Sequence, residues 1–514
     1  MVRILISMRA AMIAHRRSTK FGIVSMIFVI ALGLLSVLST VLLGFVVYPT
    51  PADGSNVIAV VMAVWVISRV AYGAFTGGGS TLRLEMFRLL PIRRSRLGRA
   101  LLIVGLLDPA LLFMALAFVG LVALGAQGGL GPALIGAVGV LLTLGLTSIL
   151  VSMVEAAMPS GSRRRQDAGT MIVAVVISLV AIAGTLLPSL IDALTTGTAP
   201  VLSAIVRILP SGWAAAAVDG ARSGNVLLSV LPLLGLIALI AVLMRVWPAL
   251  LSRRLDGALG SSRRDRSRRA GTPLLPQTPT GAVIAKEVRL WMRDPLRLTF
   301  LMIAAIIGLG VCVIPEATRG LSVLLPFAGV LTVVIAGAGG CNLYGSDGLA
   351  MRLTVMTPHS ESADVRGRQL AWLLLVAPYT LCLTVVLTLL SGQTWAWPWA
   401  LGPLAAVLGG AAGLLPLISL IAVLPLDENG GPAPAWPVKV WATLILTVVS
   451  ALPAVALLVL GAVTGSPLLQ WLSVPVGILT GAALAIGLGS AAQKRLTSHQ
   501  FDILAQLTAA SSPA

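Results

Sequence analysis

A chain of 514 residues that is 57% hydrophobic and only 11% charged, with a mean hydropathy of +1.00, has too little polar surface for a soluble enzyme or a disordered scaffold. Its net charge of +18 raises nucleic acid as a partner. The basic residues are instead spread over loops between apolar runs, where they suit an anionic lipid surface, so no nucleic-acid partner is expected.

Taken in chain order, apolar spans are predicted at 21–47, 57–77, 100–125, 131–158, 168–192 and 226–250. Six more follow at 298–315, 322–344, 369–391, 399–424, 439–463 and 471–491. A hydrocarbon core about 30 Å thick takes about 20 helical residues to cross. Backbone groups in lipid must bond within their own segment, so runs of this length are helices. If the N-terminus is placed inside, all of the 36 Lys and Arg except Arg69, Arg207, Arg222 and Arg319 fall in cytoplasmic segments or at inner helix ends. The expected fold class is therefore an all-α polytopic membrane protein of twelve transmembrane helices with both termini cytoplasmic. Trp395, Trp397 and Trp399 cluster at one outer boundary, and Trp247, Trp372 and Trp441 lie near inner ones. Cys312, Cys341 and Cys382 all fall in spans and read as small packing residues, with neither a disulfide framework nor metal-ligand spacing. The first span is too long for a signal-peptide core and is read as retained.

The residues divide into a first six-helix half (1–250), a basic and Pro-rich cytoplasmic linker (251–280) and a second six-helix half (281–514). The linker carries Arg253, Arg254, Arg263, Arg264, Arg266, Arg268 and Arg269, and nothing in it could build a core. The halves resemble each other. Leu82 to Arg99 aligns without gaps on Leu349 to Arg366, matching Pro91 with Pro358 and Ser95 with Ser362, and Pro159 matches Pro425. An even number of spans per half makes the two repeats parallel. Ahead of each half lies a short charged segment. In Gly281 to Asp294, helical spacing puts Lys286, Arg289 and Arg293 on one face and Ile284, Val288 and Trp291 on the other, which suits a helix lying in the inner interface.

Chemistry-bearing motifs are sparse. None of Lys20, Lys286, Lys439 and Lys494 sits in a P-loop, and Leu390-Ser391-Gly392-Gln393 lies at an outer helix end where ATP chemistry has no place. His15, His359 and His499 form no cluster, and no catalytic set is expected. Arg69 and Asp108 lie at matched depth in neighbouring antiparallel spans and form a candidate intramembrane pair, which relieves the cost of about 2.5–3.5 kcal/mol for each unpaired charge at a helix centre. Such a pair either fixes two helices or takes part in substrate contact or gating. The long outer segment Ala193 to Asn225 is interrupted by Pro210-Ser211-Gly212. It reads either as a surface loop or as a re-entrant hairpin over the outer mouth of a pathway, the second being favoured.

These features together resemble an ABC exporter permease of the ABC-2 superfamily, in the single-chain form of actinobacterial antibiotic-export systems. Arg83 to Arg99 after the second span resembles that family's coupling segment. Pro210, Trp213 and Arg222 look like its outer motif, and the amphipathic leaders match its layout. A heavy bias towards Arg over Lys also suggests a GC-rich bacterial genome. The resemblance implies a non-catalytic permease in the bacterial plasma membrane, exporting a hydrophobic or amphipathic compound. It would work with two copies of a cytoplasmic ATP-binding subunit that hold the ATP and Mg, so that this chain binds no cofactor itself. Coupling would fall to Arg83, Glu85, Arg88, Arg93 and Arg94 in the first half and to Arg352, His359 and Glu361 in the second. The first of these loops is strongly basic; the second is balanced, with Asp347, Glu361 and Asp364 against Arg352, Arg366 and Arg368. The chain departs from the family where the last two spans are joined only by Gly465 to Gln470, too short for a second outer hairpin. A twelve-span secondary transporter coupled to protons or sodium is the alternative, and its acid would be Asp108.

Overall fold

The computed structural model describes residues 20–75, 108–157, 200–257, 278–357, 360–421 and 436–511, with isolated positions at 102–105, 175–196 and 423–424. Everything described is helix, turn or irregular, with no strand among these residues. Among the described residues, nine helices are long and apolar enough to cross a membrane, or ten if one bent pair counts as a single span. That is the make-up of a multi-pass membrane protein. Large apolar side chains are exposed along these helices, among them Leu390 (72%), Val463 (79%) and Ile486 (73%), a surface that only hydrocarbon solvates without penalty. Two compact units divide the chain, Met1–Arg263 and Arg264–Ala514.

The first unit contains α1 (Lys20–Leu43), α2 (Pro51–Phe75), α3 (Pro109–Ala126), α4 (Leu130–Ala157), α5 (Pro200–Ile208), α6 (Trp213–Arg222) and α7 (Val226–Gly257). Local chemistry sets the starts. Thr50 and Asp53 form a reciprocal capping box, each backbone N–H donating to the other's side-chain oxygen at 3.0 and 3.2 Å, with Pro51 at the first helical position. Asp108 was expected inside a span over 100–125, but it is the N-cap of α3, extended at φ −68° and ψ 128° and accepting from the Ala110 N–H. Pro109 is the reason, because a proline disfavours helical conformation in the residue before it. The core of this unit gathers Ile58, Met62, Met114, Phe118, Leu121, Leu124, Leu146 and Leu236 from α2, α3, α4 and α7. The span expected at 168–192 lies largely outside the described residues.

The second unit runs α8 (Pro279–Arg293), α9 (Pro295–Arg319), α10 (Ala328–Gly339), α11 (Leu343–Asp347), α12 (Met351–Met356), α13 (Glu361–Ser391), α14 (Ala396–Ile421), α15 (Trp436–Val449), α16 (Leu452–Thr464) and α17 (Pro467–Ser511). The span expected at 322–344 is shorter in the structure. It enters through a 3-10 turn, Ser322–Phe327, that contains Pro326, and it ends at Gly339. The span expected at 439–463 is broken into α15 and α16, bent by 43° at Ser450–Ala451. Pro453 supplies no N–H to the turn before it and its ring crowds that turn's carbonyls, so the helix restarts there. Buried Ser450 turns its hydroxyl onto the Thr447 and Ala406 carbonyls.

α14 and α17 pack backbone to backbone. A Cβ on Gly409 would overlap the Gly481 carbonyl, and one on Gly481 would lie 2.5 Å from the Ala405 carbonyl oxygen. Only glycine lets the two backbones approach this far, the geometry by which helices associate where apolar burial gives no drive. At the turn into α17, Gly465 takes φ +68° as the C-terminal cap of α16, a left-handed conformation that glycine adopts without strain.

Candidate functional site

The most concentrated polar feature lies in the second unit, where α8, the start of α9, α11 and the start of α13 meet. Thr278 caps α8 through the Gly281 N–H and Pro279 opens it. The helix then buries Glu287 and Trp291 on one side and exposes Arg289 and Arg293 on the other. Glu287 is 1% exposed and takes two guanidinium groups, Arg297 at 2.8 Å and Arg368 at 3.0 Å. The same two arginines grip Asp347, Arg297 at 2.9 Å and Arg368 at 2.6 Å. Arg368 also holds Asp364 one turn earlier on α13 at 2.9 Å, and its guanidinium stacks over the Tyr344 ring at 4.2 Å. Tyr344 donates its hydroxyl to Asp364 at 2.7 Å. Lys286 closes the cluster from its exposed edge, 3.0 Å from Asp347 and 3.3 Å from Glu287.

Burial alone would raise the Asp347 carboxyl, but Arg368, Lys286 and Arg297 override it and hold that carboxyl well below the usual carboxylate range. Asp347 therefore stays ionised. Three buried acids face three bases within the cluster, and partly exposed Asp294 adds a fourth acid 3.7 Å from Arg297 at its edge; such pairing is the condition for keeping charges out of water. Asp347, Asp364 and Arg368 were expected on a balanced cytoplasmic docking surface; instead they point inward. The physical reason is that α8 supplies Glu287 and the α9 start supplies Arg297, giving each charge a partner across the packing.

What remains at the surface of this segment is α12. Met351 is buried against Tyr344, Val365, Ile503 and Leu507, the last two from the far end of α17, beyond its kink at His499. Leu353 and Met356 are 72% and 79% exposed, with Arg352 exposed beside them. Glu361 is half-buried at the start of α13. His359 lies outside the described residues, as do Arg83, Glu85, Arg88, Arg93 and Arg94. The arrangement offers a small apolar knob with a basic neighbour, mounted on an ionically locked base. Nothing in it resembles an acid–base or nucleophilic set, and among the described residues no three His, Cys, Asp or Glu side chains converge as a metal would require.

A second polar region belongs to the first unit. The structure brings Arg69 and Asp108 together, the Arg69 Nη2 donating to Asp108 Oδ2 at 2.9 Å. Pro210 opens a 3-10 turn, Pro210–Gly212, between α5 and α6, and the Trp213 indole N–H donates to the Ile208 carbonyl at 3.0 Å. A Cβ on Gly212 would overlap the Val206 carbonyl, so the α5–α6 turn closes only with glycine there. On α6, Ala214, Ala215, Ala217 and Val218 are 0–1% exposed, packed against α2, α4 and α7. The α6 arm is thus embedded among the long helices, whereas α5 keeps Ile205 and Ile208 exposed at 50% and 73%. Arg222 reaches Gln127 at 3.4 Å, and Gln127 in turn donates to the Gly44 and Val46 carbonyls. Arg207 donates to Asn56 at 2.9 Å and lies 3.5 Å from Asp219.

Sequence reasoning missed the ionic cluster. The available signal was Glu287, an acid on the otherwise apolar Ile284–Val288–Trp291 face, together with Arg297 at the start of α9 and Arg368 two turns into α13. No family model, curated protein or solved structure matches this chain significantly.

Proposed function

We propose that the chain is the membrane-spanning permease of an ATP-driven exporter that moves a hydrophobic or amphipathic compound out of a bacterial cell. Two cytoplasmic ATP-binding subunits would supply ATP and Mg chemistry. The observation that carries this reading is the ionic cluster beneath α12. Force applied at Arg352, Leu353 and Met356 meets a base in which α8, α11 and α13 are joined through buried charge pairs, so movement at the surface reaches the spanning helices without slack. The α5–α6 hairpin, found once among the described residues, fits an asymmetric outer gate. An ion-coupled transporter would use a free acid in its spans. Asp108 is committed to Arg69 and to the Ala110 N–H, which favours the ATP-driven reading.

The test is transport in inverted vesicles carrying the chain together with its proposed ATP-binding partner. Accumulation of a lipophilic dye should need hydrolysable ATP, survive collapse of the proton and sodium gradients, and fail when Leu353 and Met356 are both changed to Asp. Accumulation driven by an ion gradient without ATP would refute it.

A further inference from the structure

A groove of about 800 Å³ opens on the second unit between α13 and α17, with α14 as its floor. Its lining is wholly apolar: Leu370, Leu374 and Leu381 of α13, Leu404 and Leu408 of α14, and Ile478 of α17 carry most of it. Ile284 of α8 closes the end nearest the ionic cluster. At roughly 30 Å³ for each water-sized group, the space takes on the order of 25 methylenes, one or two acyl chains.

The charge at its end decides what that chain belongs to. Helical periodicity puts Arg366 on the same stripe of α13 as Leu370, Leu373, Ala377 and Leu381. Arg366 is exposed, and no acid is bonded to it among the described residues, whereas Arg368 two residues on is buried in three ion pairs. Counting back about 20 residues from the α13 end at Ser391 spans the hydrocarbon and stops near Trp372, which leaves Arg366 roughly 9 Å beyond it, at headgroup depth.

We infer that the groove is a binding site for one anionic phospholipid of the leaflet in which α13 begins, its phosphate on Arg366 and an acyl chain along Leu370 to Leu381. An arginine fork matches a phosphate in charge and geometry, and the groove supplies the apolar burial that a flat lipid-facing surface lacks. This inference rests on the membrane reading and is independent of transport.

The experiment is native mass spectrometry of the purified full-length chain titrated with phosphatidylglycerol or phosphatidylcholine. The variants are Arg366→Gln, which removes the headgroup contact, and Ala377→Trp and Ala405→Trp, either of which fills the groove. Circular dichroism checks that each variant folds. Wild type should retain phosphatidylglycerol over phosphatidylcholine. Arg366→Gln should lose that preference by roughly tenfold, the scale of one charge-assisted contact, and a folded groove-filling variant should lose both lipids. Inorganic phosphate at millimolar concentration should not displace the lipid. Wild-type retention in all variants would overturn the site. So would loss in Arg366→Gln alone or displacement by phosphate, because either describes a headgroup contact without the groove.

Discussion

Glu287, Asp347 and Asp364 are paired with Lys286, Arg297 and Arg368, with Asp294 at the edge beside Arg297, and removing a buried member leaves a buried charge short of a partner. Arg368 touches all three buried acids, so Arg368→Met should be the most damaging single change in the second unit. A loss of about 3–5 kcal/mol is expected, read as a fall in thermal midpoint in detergent. Acid should act through Asp347. The Asp347 carboxyl is held low in the folded state, so its contribution is complete above its unfolded value of about 3.9 and is lost as pH falls through the folded one. The midpoint should drop steeply below about pH 4. Asp347→Asn should be weaker at pH 7 and flatter below that; an equally steep acid limb in the variant would assign the effect to other carboxylates. In the first unit, Asp108→Asn keeps an N-cap but strips Arg69 of its counter-charge. Arg69→Gln with Asp108→Asn should therefore recover part of the loss, by an interaction of about 0.5–3 kcal/mol. Strict additivity of the two changes would deny the pairing.

Helix packing here depends on absent side chains as much as on present ones. Gly481 faces Gly409 and the Ala405 carbonyl, while Gly487, under two turns along the same α17, has nothing within 4 Å of its would-be Cβ. Gly481→Leu should force α14 and α17 apart and cost about 1–3 kcal/mol or more, whereas Gly487→Leu should be neutral. Thermal midpoints of the two variants side by side make the comparison, and equal effects would mean that the close approach does not matter. The break between α15 and α16 belongs to this scale as well. Both pieces are apolar enough to read as one span by hydropathy, and only Pro453 and the inward hydroxyl of Ser450 divide them.

For the whole chain, the orientation inferred from its basic residues makes a direct prediction. In a background without Cys312, Cys341 and Cys382, exposed Thr196→Cys should react with an impermeant thiol reagent on intact cells. Exposed Ser498→Cys, near the far end of α17, should react only after permeabilisation. Asn56, although also expected near the outer face, is unsuitable, because it is buried and accepts a bond from Arg207. Labelling of Ser498→Cys from outside would invert the map.

Apolar run lengths determined by themselves that the chain is helical and built to cross a membrane many times, because lipid leaves a backbone no other way to satisfy its bonds. The spacing of Ile284, Val288 and Trp291 was enough to mark α8 as amphipathic. Depth matching was enough to suggest Arg69 and Asp108 as neighbours. Sequence could not show where prolines cut the spans: Pro109 and Pro453 break helices while Pro378 and Pro403 are carried inside them, a choice that depends on neighbouring packing. Nor could it show that Asp347, Asp364 and Arg368 turn inward. A charge near a helix end faces water unless a partner waits across the fold. Glu287 and Arg297 lie 60 and 50 residues from Asp347, so only the tertiary structure could bring that partner into place.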